Sequence, residues 1–212
     1  MHTLPVSSFI PDSQAALRYA EFAMGRESPE RALILLEELL ERFPRAARLR
    51  VFCARAHAEL GEAELAEQEL RRAVKSAPRC WAAAEALAEL LQERSKPEEA
   101  IQVLEHAVAR NPDCPQAAQA LGEALADSGR FDEAWVVFHD LLDRDAMNPY
   151  HHGYLGEALR LAGRTSEAIQ ALRTALWLHP GYAWAARQLA GLLYERGEML
   201  GAREVLRNVR FP

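Results

Sequence analysis

Histidines and carboxylates carry much of the chemistry in enzymes and metal sites, but in this sequence they do not converge. His151 and His152 are sequence neighbours, so in a helix their rings would point about 100° apart. His139 is followed directly by Asp140, and no nucleophile pattern surrounds them. A catalytic zinc site calls for two histidines one helical turn apart and a third ligand. We therefore predict no metal, no cofactor and no enzymatic activity.

The composition is that of an ordinary globular chain. Of 212 residues, 50% are hydrophobic and 26% are charged, and the formal net charge is −6. An acidic balance disfavours nucleic-acid binding, which needs a basic face. No apolar run approaches the roughly 18 residues that cross a bilayer, and the segment MHTLPVSSFIPD lacks the features of a signal peptide. We predict a cytoplasmic protein without membrane insertion.

A period of 34 residues runs through the chain and defines the elements that must position any site. The alanines of one column keep this spacing without a gap: Ala32, Ala66, Ala100, Ala134, Ala168 and Ala202. Prolines and glycines recur with the same period, and apolar residues follow the helical spacing within each unit. After an extension over 1–12, the predicted units are 13–46, 47–80, 81–114, 115–148, 149–182 and 183–212. Each is expected to form two helices joined by a short turn.

The repeated stretches LGEALADSGRFDEAWVVF and LGEALRLAGRTSEAIQAL resemble tetratricopeptide repeats, and the resemblance covers residues 13–212. It implies an all-α, right-handed superhelical solenoid of six helix-turn-helix repeats. It also implies a protein-binding scaffold whose first helices line a concave surface. Gly122 and Gly156 stand at the small position 8 of the repeat, so we expect a close approach there, with the alanine column of the second helix as its partner.

The exposed stripe beside this contact supplies the candidate binding residues, in three zones. The first zone is basic and apolar, the second acidic and the third aromatic with charged flanks. The candidates are Arg48 and Arg55, then Glu85, Glu89 and Glu123, then Tyr150, Glu157, Arg160, Trp184, Arg187 and Tyr194. Aromatic and arginine residues are favoured interface anchors. The acidic zone is read either as a groove for a basic peptide or as a solvated helical face.

The last helix of the array is apolar on a side that no following repeat covers in sequence. Its candidate interface residues are Val205, Leu206, Val209 and Phe211. A contiguous exposed apolar patch usually marks an interface. We expect this end to dock on a downstream domain or on another copy of the chain.

Three functions are consistent with the sequence. The leading hypothesis is a non-catalytic scaffold that binds a protein or peptide, mainly in the concave groove. The second is a targeting module of a larger enzyme or complex. The third is a structural scaffold that self-associates through its carboxyl-terminal end.

Overall fold

A computed structural model describes residues 12–209, and every regular element within that range is an α-helix. The chain divides into two compact units, Met1–Pro112 and Asp113–Pro212. The prediction of an all-α helical-repeat fold is therefore confirmed. The amino-terminal extension up to residue 11 and the candidate Phe211 lie outside the described residues.

The first unit contains six helices that pair in chain order into three hairpins. The second helix of each of the first two hairpins also packs against the first helix of the next hairpin. Its core begins with Leu36, Leu39 and Leu49, all fully buried. The helices are α1 (Ser13–Arg26), α2 (Pro29–Arg42), α3 (Ala47–Glu59), α4 (Ala63–Ser76), α5 (Trp81–Glu93) and α6 (Pro97–Arg110).

The second unit repeats this arrangement with three more hairpins. Its main core cluster lies between the last two of them and includes Ile169, Leu172, Leu189 and Leu193. The helices are α7 (Pro115–Asp127), α8 (Phe131–Arg144), α9 (Pro149–Leu161), α10 (Thr165–Leu178), α11 (Ala183–Glu195) and α12 (Met199–Asn208).

The turn between α1 and α2 has φ −96° at Glu27 and −71° at Ser28, whereas the other five turns inside the described hairpins are each built on a left-handed residue. Four of them use glycine, with φ between 74° and 79° at Gly61, Gly129, Gly163 and Gly197. The turn between α5 and α6 instead places Ser95 at φ 58°. The amide of the residue after Ser95, Lys96, donates to the Leu91 carbonyl at 2.8 Å, which satisfies a carbonyl at the end of α5. Ser95 therefore has a conformation that glycine adopts at lower cost.

The close approach expected at position 8 exists, but its partner differs from the predicted one. A Cβ atom on Gly122 would lie 2.5 Å from Phe138 Cζ, and one on Gly156 would lie 2.7 Å from Leu172 Cγ. From the alanine column, the Ala168 carbonyl oxygen follows as the third nearest atom, 3.4 Å from the Gly156 position. The prediction that alanine is the nearest neighbour was therefore wrong. The large side chain one turn further along the second helix fills the space over the glycine, since it reaches farther than an alanine methyl group.

Candidate ligand cavities on the first helices

The second unit contains a cavity of about 490 Å³ between its first helices, which we call the aromatic cavity. Most of its wall comes from α7 and α9, with contributions from α8 and the start of α11. Its lining residues are Glu123, Ala126, Asp127, Phe138, Tyr150, Tyr154, Glu157, Ala158, Leu161, Tyr182 and Trp184. Five aromatic rings therefore share one cavity with three carboxylates.

The rings of the aromatic cavity contact one another in sequence. Tyr150 meets Tyr182 edge to face with centroids 5.0 Å apart, and Tyr182 lies 5.7 Å from Trp184 at an interplanar angle of 27°. Tyr154 bridges Trp184 and Phe138, with centroids 6.1 Å from each. These separations fall in the range in which aromatic pairs attract. The rings consequently support one another as a continuous wall, and Tyr150 is left 47% exposed at its edge.

Gly153 on α9 makes this wall possible. A Cβ atom there would lie 2.9 Å from Tyr182 Cε1 and 3.4 Å from Trp184 Cζ3. Only a residue without a side chain lets both rings pack directly on the helix backbone. Trp184 and Tyr182 also pack against the core cluster of the second unit. Trp184 thus serves the core and the cavity at once.

The carboxylates of the aromatic cavity differ in whether a cationic side chain pairs with them. Arg160 forms a two-pronged ion pair with Glu157, with nitrogen-to-oxygen distances of 2.7 and 2.9 Å. Glu123 accepts a hydrogen bond from the Gln119 amide at 3.2 Å. In the described part of the chain, neither Glu123 nor Asp127 forms a salt bridge with a cationic side chain. Burial, reinforced by the negative charge of Asp127, raises the pKa of the Glu123 carboxyl above its ordinary value.

The first unit contains a cavity of similar size, about 470 Å³, which we call the aliphatic cavity. It lies between α3 and α5 over two residues of α4. Its lining residues are Val51, Ala54, Arg55, Ala58, Ala66, Leu70, Ala82, Glu85, Ala86, Glu89, Leu90 and Glu93. The Arg55 guanidinium pairs with Glu59 on its own helix at 3.4 Å. Burial, together with the charge of Glu89, raises the pKa of Glu85.

The two cavities occupy the same place in the repeat. Residues that line one recur two 34-residue periods further along as residues that line the other. The pairs that differ most are Arg55 and Glu123, Leu70 and Phe138, Ala82 and Tyr150, and Ala86 and Tyr154. Glu89 and Glu157 form a pair of unchanged type. The repeat therefore builds the same cavity in both units, and a few substitutions change its lining from aliphatic to aromatic.

The structure regroups the three predicted zones. Arg48 lines a separate cavity with Leu17 and Phe43, whereas Arg55 lines the aliphatic cavity. Glu85 and Glu89 share the aliphatic cavity, whereas Glu123 belongs to the aromatic one. These two cavities lie in different units, so a single acidic zone that includes all three carboxylates stays a prediction.

The third zone is also divided. Tyr150, Glu157 and Trp184 line the aromatic cavity. Arg187 and Tyr194 lie instead in a groove of about 500 Å³ formed by α11 and α12. The remaining lining residues of this terminal groove are Ala190, Gly191, Met199, Ala202, Arg203 and Leu206.

The candidates at the carboxyl-terminal end have different exposures. Leu206 is 38% exposed and lines the terminal groove, while Val205 is half-buried against the core. Val209 is only 4% exposed, so the expectation that it presents an uncovered apolar side chain was wrong. Apolar exposure at this end comes instead from Met199 and Leu200 at the start of α12, which the sequence reading did not select.

Sequence reasoning missed Tyr154 and Tyr182, although both line the aromatic cavity. Tyr154 stands at position 6, outside the selected stripe, and Tyr182 precedes α11 in the turn. The repeat column gave no clear signal, because the residues at position 6 vary widely: Arg18, Phe52, Ala86, Ala120, Tyr154 and Gln188. Only the structure shows that the Tyr154 ring lines the cavity.

Residues 12–209 contain neither a candidate metal site nor a membrane-spanning helix. In this range, no three His, Cys, Asp or Glu side chains come close enough together to hold a metal ion. No helix of the described chain is long and apolar enough to cross a membrane.

Twelve described helices that pair at a constant spacing define a helical-repeat protein. The tetratricopeptide repeat family matches residues 23–91, 91–156 and 159–211. The chain belongs to this family. No curated protein sequence matches the chain.

Several solved structures share this fold. A tetratricopeptide repeat protein from Parabacteroides merdae ATCC 43184 is 13% identical, with 93% of this chain and 80% of that chain covered and a TM-score of 0.74. TTC0263, a protein from Thermus thermophilus, is 24% identical over 86% of this chain and 100% of its own, with a TM-score of 0.61. YrrB is 21% identical over 82% and 90%, also with a TM-score of 0.61. At these identities the likeness concerns the fold.

Proposed function

We propose that this chain is a non-catalytic scaffold that binds a protein or peptide partner through the cavities on its first helices. The observation that carries the proposal is the recurrence of one cavity, at equivalent repeat positions, in both units. Each has the size of a small ligand pocket, and each combines apolar walls with carboxylates. Such cavities suit individual side chains of a peptide.

The family supports this proposal, because tetratricopeptide repeats generally serve as protein-interaction modules. YrrB, which shares the fold, is described as having an unusual peptide-binding site. Proteins of this family are typically non-catalytic scaffolds. The carboxylates of both cavities favour a partner with basic residues and disfavour recognition of a terminal carboxylate.

Selection from a random peptide library displayed on phage tests the proposal without knowledge of the partner. We expect enriched peptides that bind the purified chain in solution. Glu89→Lys in the aliphatic cavity and Glu123→Lys in the aromatic cavity should each weaken the peptides that use that cavity. Glu41→Lys and Glu204→Lys change exposed carboxylates outside both cavities and serve as charge-matched controls. If no peptide is enriched over repeated rounds, or if controls and cavity variants weaken binding equally, the proposal fails.

A second candidate function, self-association, rests on the terminal groove. In the second unit, α11 packs against α10 and buries Leu172 completely. Leu206 is the equivalent of Leu172 on α12, yet it is 38% exposed, and the neighbouring Tyr194 is 62% exposed. The repeat therefore indicates that an apolar helix would fit this groove, and a second copy of the chain could supply it.

Light scattering over a concentration series tests self-association. The expected mass rises with concentration, and Leu206→Lys should return the protein to a monomer. Leu65→Lys, on an exposed leucine of the first unit, is the matched control. A strictly monomeric protein at the highest concentration would exclude self-association as a function.

A further inference from the structure

We infer that the aromatic cavity binds the cationic side chain of an arginine or lysine in the partner peptide. The inference rests on the proposed peptide-binding function and specifies its chemistry at one site. Three features of the cavity lead to it: its rings, its carboxylates and the contrast with the aliphatic cavity.

The rings come first. Tyr150, Tyr154, Tyr182 and Trp184 line one continuous wall, with neighbouring centroids between 5.0 and 6.1 Å apart. The faces of such rings carry negative electrostatic potential, which attracts a cation within about 6 Å of the ring centroid. An arginine guanidinium gains in addition from stacking flat on an aromatic face. A cavity lined by several rings is thus suited to an organic cation.

The carboxylates supply the charge. Glu123 and Asp127 lie close enough to repel each other, and within residues 12–209 neither is neutralised by a salt bridge. Glu157 is different, because Arg160 already neutralises it. No lysine or arginine is found among the residues that line the cavity. A guanidinium or ammonium group that entered would therefore relieve a repulsion that the folded chain alone leaves in place.

The geometry also shows that the Tyr150 and Tyr154 rings are not needed to complete the repeat. At the equivalent positions of the aliphatic cavity, Ala82 and Ala86 stand where Tyr150 and Tyr154 stand here. Both units pack their hairpins nonetheless. In addition, Gly153 leaves room for Tyr182 and Trp184 to approach α9. Tyr150 and Tyr154 thus line the cavity at positions where the fold accepts alanine.

The first test uses two small probes, N-acetyl-arginine methylamide and its citrulline analogue, which has nearly the same shape but no charge. Titrations are followed by NMR through the indole N–H signal of Trp184, which is assigned by its loss in Trp184→Phe. We expect the arginine probe to shift this signal saturably with a dissociation constant of about 1–10 mM, as suits one side chain. The lysine probe is expected to act in the same way, and the citrulline probe should have little effect.

Substitutions then locate the site. Glu123→Gln and Tyr150→Ala should each weaken the arginine probe about three- to tenfold, the range expected for one ring or one charge. Glu204→Gln removes an exposed carboxylate outside the cavity and should leave the affinity unchanged. Circular dichroism checks that each variant keeps its helices, and Glu123→Gln is expected to fold well because it removes a partly buried charge.

The outcomes separate the two proposals. Library peptides that carry no basic residue and bind Glu123→Gln and Tyr150→Ala as tightly as the wild type would refute the cation site. The proposed scaffold function would still stand. Equal titrations by arginine and citrulline would also overturn the cation site. Enrichment of arginine or lysine in peptides that lose affinity in both variants would support it.

Discussion

The aliphatic and aromatic cavities show how one repeat position can hold two kinds of site. Both lie between the first helices of neighbouring hairpins, and their volumes are about 470 and 490 Å³. The aliphatic cavity has alanine at the positions where the aromatic cavity has Tyr150 and Tyr154. It also has Arg55 where the other has Glu123. The backbone therefore provides the space, and a few side chains set the chemistry.

The comparison extends to the floor of each cavity. In the first unit Ala54 and Leu70 line the aliphatic cavity, whereas in the second unit their equivalents are Gly122 and Phe138. The larger ring is accommodated because the facing helix residue has lost its side chain. Substitution of only one residue of the Gly122 and Phe138 pair should therefore lower the free energy of unfolding. Substitution of both by alanine and leucine restores the pair found in the first unit.

The largest expected effect tests this exchange. Gly122→Ala places a methyl group 2.5 Å from the buried ring of Phe138. Overpacking typically costs about 1–3 kcal/mol, against a gain of up to about 1 kcal/mol in helix propensity. We expect a net loss of about 1–2 kcal/mol in the free energy of unfolding, measured by urea denaturation.

The double variant supplies the control. Gly122→Ala with Phe138→Leu recreates the alanine and leucine pair of the first unit and should recover much of the loss, relative to Phe138→Leu alone. A Gly122→Ala protein as stable as the wild type would contradict the difference between the two floors.

The next effect concerns the ion pairs, which are more connected in the first unit. Glu67 accepts hydrogen bonds from Arg94 at 2.8 Å and from Lys96 at 3.1 Å, and also contacts Arg71. Burial opposes ionisation of Glu67, but the bonds from Arg71 and Lys96 hold its pKa below the ordinary value of 4.5. Glu67→Gln should lower the free energy of unfolding at pH 7 by about 1–2 kcal/mol, since hydrogen bonds to charged groups are lost.

The pH dependence of this loss checks its cause. A carboxyl group with a lowered pKa in the folded state stabilises the fold above the unfolded value and loses that effect as the pH falls through the folded value. The wild type and Glu67→Gln should thus converge in acid. Glu133→Gln, which removes an exposed pair with Arg130 in the second unit, is the control and should change stability little. A pH-independent difference would exclude the ion pairs as its source.

A smaller effect is expected at the turn that carries two of these cations. Ser95, between Arg94 and Lys96, is the described non-glycine residue with a positive φ, 58°. Ser95→Gly should raise the free energy of unfolding by about 0.5–1 kcal/mol. Glycine removes the steric cost of the left-handed conformation, and the greater entropy of the unfolded chain offsets part of this gain. Thermal denaturation measures this gain. Ser128→Gly, at the residue before a turn glycine, is the control and should not stabilise.

The smallest effect on stability is expected at Glu123. Its pH dependence is opposite in sign to that of Glu67. Because burial and Asp127 raise the pKa of the folded Glu123, the folded state binds a proton more readily than the unfolded state. Stability should therefore fall as the pH rises from about the ordinary 4.5 through the raised folded value.

Glu123→Gln should remove this pH dependence and give a slightly higher Tm than the wild type at pH 7. The gain in the free energy of unfolding should be smaller than the loss expected for Gly122→Ala. The partly buried neighbours Tyr154 and Tyr182 titrate at much higher pH and do not contribute in this window. A lower Tm at pH 7 would show that Glu123 stabilises the cavity rather than straining it.

The sequence alone determined the repeat and the nature of its elements. The columns of alanine, glycine and proline specify paired helices at a period of 34 residues, because each column reflects a local need: a small contact, a left-handed turn or a helix end. It also selected Glu123, Tyr150, Glu157 and Trp184 as exposed candidates, and all four line the aromatic cavity. The prediction of paired helices succeeded because it depends on residues within one hairpin, whereas the binding role of these four residues stays a prediction.

Only the tertiary structure decided which candidates share a site. It joined Tyr154 and Tyr182 to the aromatic cavity, placed Tyr194 in the terminal groove, and buried Val209. The physical reason is that a cavity between hairpins gathers side chains from several helices and a turn. Which of them meet depends on how far each side chain reaches and on whether a glycine makes room, and neither is visible in the period itself.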